Sequence, residues 1–91
     1  MTERLHIEDM RPGDTATIVA IDRDGVDPVT ARQLHEMGFD EGVDIELLHR
    51  APFGGDPMAL RVGSMAVALR KRLARMIVVE RTAVAYLQAA E

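Results

Sequence analysis

Short runs that alternate between apolar and polar residues, separated by turns rich in Gly and Pro, constrain this chain most. In the clearest run, Val43, Ile45 and Leu47 alternate with more polar neighbours, and the same period of two returns at Met58–Val62 and Met65–Leu69. A period of two indicates a half-buried strand, because successive side chains of a strand point to opposite faces. The chain is therefore predicted to be mainly β.

Two further strands and their turns follow from composition. Residues Thr15–Ile21 are rich in β-branched residues, and Met76–Glu80 is a last apolar run, so both are predicted to be strands. The Gly63-Ser64 pair has the length of a two-residue hairpin turn. The segment Pro52–Pro57, rich in Pro and Gly, is predicted to reverse the chain between the two strands that flank it.

One helix is predicted between the first two of these five strands. Asp27 precedes Pro28 as an N-cap precedes a proline at the first helical position, and Gly38 stands where a left-handed cap is needed. The helix is predicted over Pro28–Met37, and Lys71–Arg75 is predicted to form one further helical turn. Five strands this short close most economically into a small barrel.

The last residues differ from the rest of the chain. Residues 82–90 are rich in Ala and contain no Gly or Pro, so they can form a short C-terminal helix. A helix of that length is marginal unless it docks on the barrel.

Composition excludes several classes of function. Aromatic residues are 3% of the chain, the net charge is −4 and the pI is about 5.3, so nucleic acid is not an expected partner. There is no cysteine for a disulfide or a thiolate metal site. Unbroken apolar runs reach only five residues, against about 20 for a membrane span. We expect a cytoplasmic protein without direct membrane insertion.

The sequence contains no recognisable catalytic or cofactor site. It has no phosphate-binding glycine motif, and Ser64 has no base near it in sequence. His6, His35 and His49 lie on different predicted elements, and His49 continues an apolar face, so we expect it to be a core residue. No catalytic, cofactor-binding or metal-binding residue is predicted, although weak binding of a transition metal at the surface stays open.

Charge is distributed unevenly along the chain. Residues 1–50 hold 12 acidic and 5 basic residues, whereas residues 51–91 hold 3 acidic and 6 basic ones. Arg70, Lys71, Arg72 and Arg75 supply most of the second group. Two interpretations stay open: an ordinary solvated helical turn, or a basic segment that orients the domain on an acidic partner.

Four motifs in order and in register resemble the FeoA family, the small proteins named ferrous iron transport protein A. The motifs are Arg11-Pro12-Gly13-Asp14 before the first strand, Arg32-x-Leu34-x-x-Met37-Gly38-Phe39-x-x-Gly42, Ala51-Pro52-Phe53-Gly54-Gly55-Asp56-Pro57, and Ala68-Leu69-Arg70. The double glycine at 54–55 is one residue more than the form expected for the family.

The resemblance implies an SH3-like β-barrel over residues 5–80, followed by a C-terminal extension over 81–91. It implies an accessory or regulatory protein of ferrous iron uptake that acts in the cytoplasm, recruited to the inner face of the membrane by a ferrous iron permease GTPase (FeoB-like). Two alternatives are an Fe(II)-binding sensor or metallochaperone, and a domain like the SH3-like domain of iron-dependent repressors. Oligomeric state and the sign of the effect on the permease stay open.

If the chain acts through a partner, the contact residues are predicted in two places. The hairpin segment Pro52–Pro57 is expected to be the main contact, with Phe53 partly exposed and Arg70 with its basic neighbours setting orientation. The second place is the edge after the helix. The predicted contact residues are Met37, Gly38, Phe39, Pro52, Phe53, Gly54, Gly55, Asp56, Pro57 and Arg70.

Overall fold

A single antiparallel sheet of six strands organises residues 2–82, the part of the chain that the computed structural model describes. The strand order is β1-β6-β2-β3-β4-β5, so β1 and β5 lie at the edges. The elements are β1 (Thr2–His6), β2 (Thr15–Ile21), α1 (Pro28–Glu36), β3 (Asp44–Arg50), β4 (Met58–Val62), β5 (Met65–Leu69), α2 (Lys71–Ala74) and β6 (Ile77–Thr82).

The central hairpins confirm the predictions from alternation. β4 and β5 have the predicted bounds, and Gly63-Ser64 is the turn between them. Helix α1 ends one residue before the predicted end, with Met37 as its C-cap. The Asp27 carboxylate caps α1 by accepting from the backbone N–H of Thr30 at 2.7 Å. Hydrogen bonds from the side chain and backbone of Thr30 lower the pKa of Asp27.

The structure has one strand more than the five predicted. β1 was not predicted because Thr2–His6 contains one apolar residue, Leu5, and therefore shows no alternation. It forms by pairing with β6 from Thr2↔Thr82 to His6↔Val78. Ion pairs across the two strands support it, with Arg4 Nε 2.8 Å from Glu80 Oε2 and Arg81 in contact with Glu3. Tertiary pairing overrides weak local propensity here.

The last strand of the sheet includes the first two residues of the extension predicted at 81–91. β6 continues through Arg81 and Thr82, so these two residues belong to the strand. The helix predicted over the remaining residues lies outside the described part of the chain.

Within residues 2–82, the core is aliphatic apart from one aromatic side chain. No polar or charged residue is buried among the described residues. Phe39 is fully buried, and it packs among aliphatic side chains contributed by the strands, both helices and the turn at 7–9. The buried residues are Ile7, Met10, Ala16, Ile18, Leu34, Phe39, Ile45, Leu47, Met58, Leu60, Val62, Leu69, Leu73, Ala74, Ile77 and Val79.

A β-bulge in β3 overturns one expectation. Leu47 pairs with Leu60 and His49 pairs with Ala59, so Leu48 is an extra residue between them. The extra residue reverses the alternation that the sequence shows up to Leu47. His49 is therefore exposed, and the prediction that it is a core residue is wrong.

The same bulge turns Arg50 toward the side of the sheet that carries Leu47. The guanidinium group of Arg50 donates hydrogen bonds from Nη2 to the backbone carbonyls of Glu8 and Met10, the latter at 2.7 Å. These carbonyls belong to the turn that follows β1. Arg50 therefore joins the N-terminal segment to the end of β3.

We predict that Arg50→Met destabilises the fold by about 1–3 kcal/mol, because two partly buried carbonyls lose a charged donor. Arg61→Met is the control, since Arg61 makes an exposed ion pair with Glu46 at 2.8 Å. That change should cost at most about 1 kcal/mol. Urea denaturation of both variants measures the difference, and equal losses would contradict the role given to Arg50.

Candidate partner-binding surface

The segment Pro52–Pro57, which we call the β3–β4 loop, has a backbone that depends on its two glycines. Gly54 has φ +79° and Gly55 has φ +72°, and both values lie in the left-handed region that residues with a side chain rarely adopt. Both residues of the double glycine, which departs from the family pattern, therefore have a backbone conformation that favours glycine.

The base of the β3–β4 loop is fixed by hydrogen bonds and packing. A carboxylate oxygen of Asp56 accepts from the backbone N–H of Lys71 at 2.9 Å, which joins the loop to the start of α2. The N–H of Ala51 donates to the carbonyl of Pro57 at 3.1 Å. Gly55 lies against the side chain of Arg50, since a Cβ built there would be 3.5 Å from Arg50 Cδ. The loop is therefore attached to the body of the protein at its C-terminal half.

The tip of this loop carries the most exposed large apolar side chain of the described residues. Phe53 is 92% exposed, in agreement with the expectation that it is at least partly exposed. Its neighbours Pro52 and Gly54 are exposed as well. An aromatic ring in water on an anchored loop is suited to contact another protein, because aromatic residues supply much of the binding energy in interfaces.

The predicted second contact region, Met37 to Phe39, is largely part of the core. Phe39 was predicted to be a contact residue, but its side chain is 0% exposed and belongs to the core. Met37 is half-buried against the core. Gly38 has φ +93°, and a Cβ there would be 3.1 Å from Val62 Cγ1, so it serves as the cap that turns the chain after α1.

The basic segment adjoins the β3–β4 loop through the contact between Asp56 and Lys71. Arg70 and Arg72 are exposed, and Lys71 is half-buried. Arg75 is engaged at the other side of α2, with its Nε 2.9 Å from Glu8 Oε1. Arg70 therefore lies beside the loop that presents Phe53, and the predicted loop and basic residues form one region of the surface.

Sequence reasoning missed the residues that hold this region in place. Asp56 was predicted to be a contact residue, but its carboxylate is occupied by the N–H of Lys71. Arg50 was not singled out, because only the β3 bulge brings it under Gly55. The motif containing Asp56 was a visible signal, and the adjacent apolar pair Leu47-Leu48 interrupts the alternation at the bulge.

The histidines are dispersed over the described structure. His35 Nδ1 lies 3.0 Å from Asp40 Oδ1, His6 Nδ1 lies 3.8 Å from Asp9 Oδ2, and His49 is exposed on β3. Within residues 2–82, no three His, Asp or Glu side chains are grouped so that they could hold a metal ion. None of the helices described is long and apolar enough to cross a membrane.

A groove of about 660 Å³ crosses the outer face of the sheet over β2, β3 and β6. The carboxylates that line it have partners within the protein. Asp44 accepts from the hydroxyl of Thr17 at 2.7 Å, and Glu46 pairs with Arg61. Glu80, at the same groove, pairs with Arg4. These pairs stabilise the sheet surface and leave the groove without a distinctive ligand chemistry.

The chain is similar to one family of proteins and to solved structures of that family. The family model described as the FeoA domain matches residues 5–81. A crystal structure of an iron uptake regulatory protein (FeoA) aligns with a TM-score of 0.72 at 30% identity, covering 88% of this chain and 100% of that chain. No match to this chain was found among the curated proteins.

Two further structures show how widely the fold is used. The zinc complex of FeoA from Stenotrophomonas maltophilia, described as an SH3 domain protein, aligns with a TM-score of 0.71 at 27% identity and covers 82% of this chain and 88% of its own. A manganese-dependent transcriptional repressor aligns at 26% identity with a TM-score of 0.72, over 84% of this chain. Only 35% of that longer repressor is covered.

We predict that Phe53→Ala changes the free energy of unfolding by no more than about 0.5 kcal/mol, because the ring is already in water. Phe39→Ala, the matched change in the core, should cost about 3–5 kcal/mol. Chemical denaturation of the two variants makes the comparison. A large loss for Phe53→Ala would show that the ring packs against the protein.

Proposed function

The chain belongs to the FeoA family, which is associated with ferrous iron transport, and on that premise we propose that it regulates a membrane ferrous iron permease with a GTPase domain (FeoB-like). The regulation acts through protein contact, as an accessory of the permease. The proposal assigns no catalytic residue, cofactor or metal ligand to this chain. It places the protein in the cytoplasm, bound to the permease at the inner face of the membrane.

The single observation that carries the proposal is Phe53, which is 92% exposed at the tip of an anchored loop. Exposing an aromatic ring has no benefit for folding, since burial of that area would stabilise the protein. The loop base is already held by Asp56 and Gly55, so little conformational entropy is lost when the loop docks. The β3–β4 loop is therefore the proposed anchor on the permease.

The basic segment beside the loop is proposed to orient the complex. Arg70 and Arg72 are exposed close to the contact between Asp56 and Lys71, in a protein with a net charge of −4. A local basic region on an acidic protein gives the molecule an uneven field, and such a field favours approach to an acidic surface in one orientation. The partner surface is thus expected to combine an apolar pocket with acidic residues at its rim.

We predict that Phe53→Ala weakens binding to the permease by about 1–3 kcal/mol, because an aromatic anchor is lost from the interface. Val29→Ala is the matched control, since Val29 is an exposed apolar side chain, 65% exposed, on α1 and not on the β3–β4 loop. Binding is measured with the purified permease in detergent or nanodiscs by biolayer interferometry. Equal affinity of the Phe53→Ala variant and the wild type would overturn the assignment of the anchor, and no binding by the wild type would overturn the proposed function.

The double change Arg70→Glu/Lys71→Glu should slow association by about tenfold at low salt and less at high salt, because steering is screened. The dissociation rate should change little. The control is Arg11→Glu/Arg32→Glu, which alters the net charge equally at two other exposed arginines. A similar loss in both variants would attribute the effect to net charge and not to the basic segment.

A further inference from the structure

The two edges of the sheet differ sharply in how they are protected. β1 carries Glu3, Arg4 and His6, which are exposed along that edge. β5 has the sequence Met-Ala-Val-Ala-Leu, with no charged residue and no proline. Its pairing with β4 is regular from Val62↔Met65 to Met58↔Leu69, without a bulge. Charges, prolines and bulges are the usual devices that prevent an edge strand from pairing with another chain.

The backbone groups on the outer side of β5 can be assigned from the ladder. The carbonyl of Pro57 accepts from the N–H of Ala51, the residue that follows β3, so the next residue, Met58, directs its groups toward β5. Met58 pairs with Leu69, and the alternation then directs Val67 and Met65 toward β4 as well. Ala66 and Ala68 therefore point their N–H and C=O groups away from the sheet. β5 is the last strand in the order of the sheet, so no strand within residues 2–82 pairs with this outer side.

The side chains of β5 are exposed where an added strand would cover them. Ala66 and Ala68 are exposed, Met65 is 49% exposed, and Val67 is half-buried at the margin of the core. Met65 and Val67 pair with Val62 and Leu60, both buried, so they continue the core face up to the edge. A strand added beside β5 would extend this apolar face and remove the two side chains from water.

We propose that the β5 edge binds the β5 edge of a second copy of this chain, in an antiparallel pair centred on Val67. The reason for choosing a second copy is the symmetry of the strand. In side-chain size it alternates large, small, large, small, large, and it has the same order in either direction. A two-fold axis at Val67 places Ala66 opposite Ala68 of the second copy and Met65 opposite Leu69.

The outward backbone N–H and C=O groups of the two copies also match in this pairing. Ala66 and Ala68 are the residues with outward groups in each copy, and the two-fold axis sets them opposite one another. Such a pair of residues exchanges both of its N–H···O bonds in an antiparallel ladder. No charged side chain lies within the paired segments, so the two acidic proteins meet at a neutral contact. The strand is short, so the dimer is weak and forms at high local concentration.

The first test is sedimentation equilibrium of the full chain from low micromolar to millimolar concentration. We expect a monomer–dimer equilibrium. Ala66→Lys/Ala68→Lys should raise the dissociation constant on the order of tenfold, because like charges then lie directly opposite one another. Val29→Lys/Gln33→Lys, on the exposed face of α1, adds the same charge elsewhere and should leave the equilibrium close to that of the wild type.

A charge exchange tests the register. Mixing the Ala66→Lys/Ala68→Lys protein with an Ala66→Glu/Ala68→Glu protein should restore association, because position 66 of one copy faces position 68 of the other. Failure of the mixture to associate would overturn the register. A wild type that stays monomeric at millimolar concentration would overturn the proposal, as would a dimer that both double variants leave unchanged.

Amide hydrogen exchange of the wild type gives a result that does not depend on the folding of any variant. The Ala66 and Ala68 amides should exchange more slowly as protein concentration rises, whereas the Val67 amide, bonded within the β4–β5 ladder, should not respond. Exchange at Ala66 and Ala68 that does not depend on concentration would contradict the pairing. Slowing caused only by an added extended apolar peptide would show that the edge takes a foreign strand and not a second copy.

Discussion

The guanidinium group of Arg50 is the point at which three parts of the molecule meet. Its hydrogen bonds to the carbonyls of Glu8 and Met10 join β3 to the turn after β1, and its aliphatic part lies under Gly55. A charged group can do this because it satisfies partly buried carbonyls that no neighbouring strand reaches. The N-terminal segment and the β3–β4 loop are therefore supported by the same side chain. The position of Phe53, and with it the proposed function, depends on that support.

The part of the fold that could be predicted from the sequence is the part held by local signals. Asp27 and Gly38 marked the ends of α1, and the alternation from Met58 to Leu69 identified β4 and β5 with their correct bounds. Each of these signals acts over a few residues, through capping, turn geometry or the period of a strand. Phe53 was also identified, since an aromatic residue inside a Gly- and Pro-rich turn has little opportunity to be buried.

The features that could not be predicted are those that arise from pairing distant segments. β1 forms because β6 pairs with it. The sequence of β1 has charged residues where alternating apolar residues would indicate a strand. The bulge at Leu48 reverses the faces of His49 and Arg50, and the adjacent apolar pair Leu47-Leu48 does not by itself say which of the two residues is the extra one. Phe39 was ambiguous for a different reason, because a residue after a helix cap can point either into the core or outward. For β1 and for the bulge, the pairing partner lies at least ten residues away along the chain.

The two proposed contacts are compatible because they lie at different places on the β4–β5 hairpin. Met58 pairs with Leu69, so the β3–β4 loop adjoins the end of β5 that leads into Arg70. A two-fold axis at Val67 sends the corresponding end of the second copy in the opposite direction, and the two Leu69 residues are then about 13 Å apart along the strands. Each copy therefore presents its Phe53 and its basic segment at its own end of the shared strand pair. Self-association would give the permease two anchors on one particle, and a second anchor strengthens attachment without any new contact chemistry when both can engage at once.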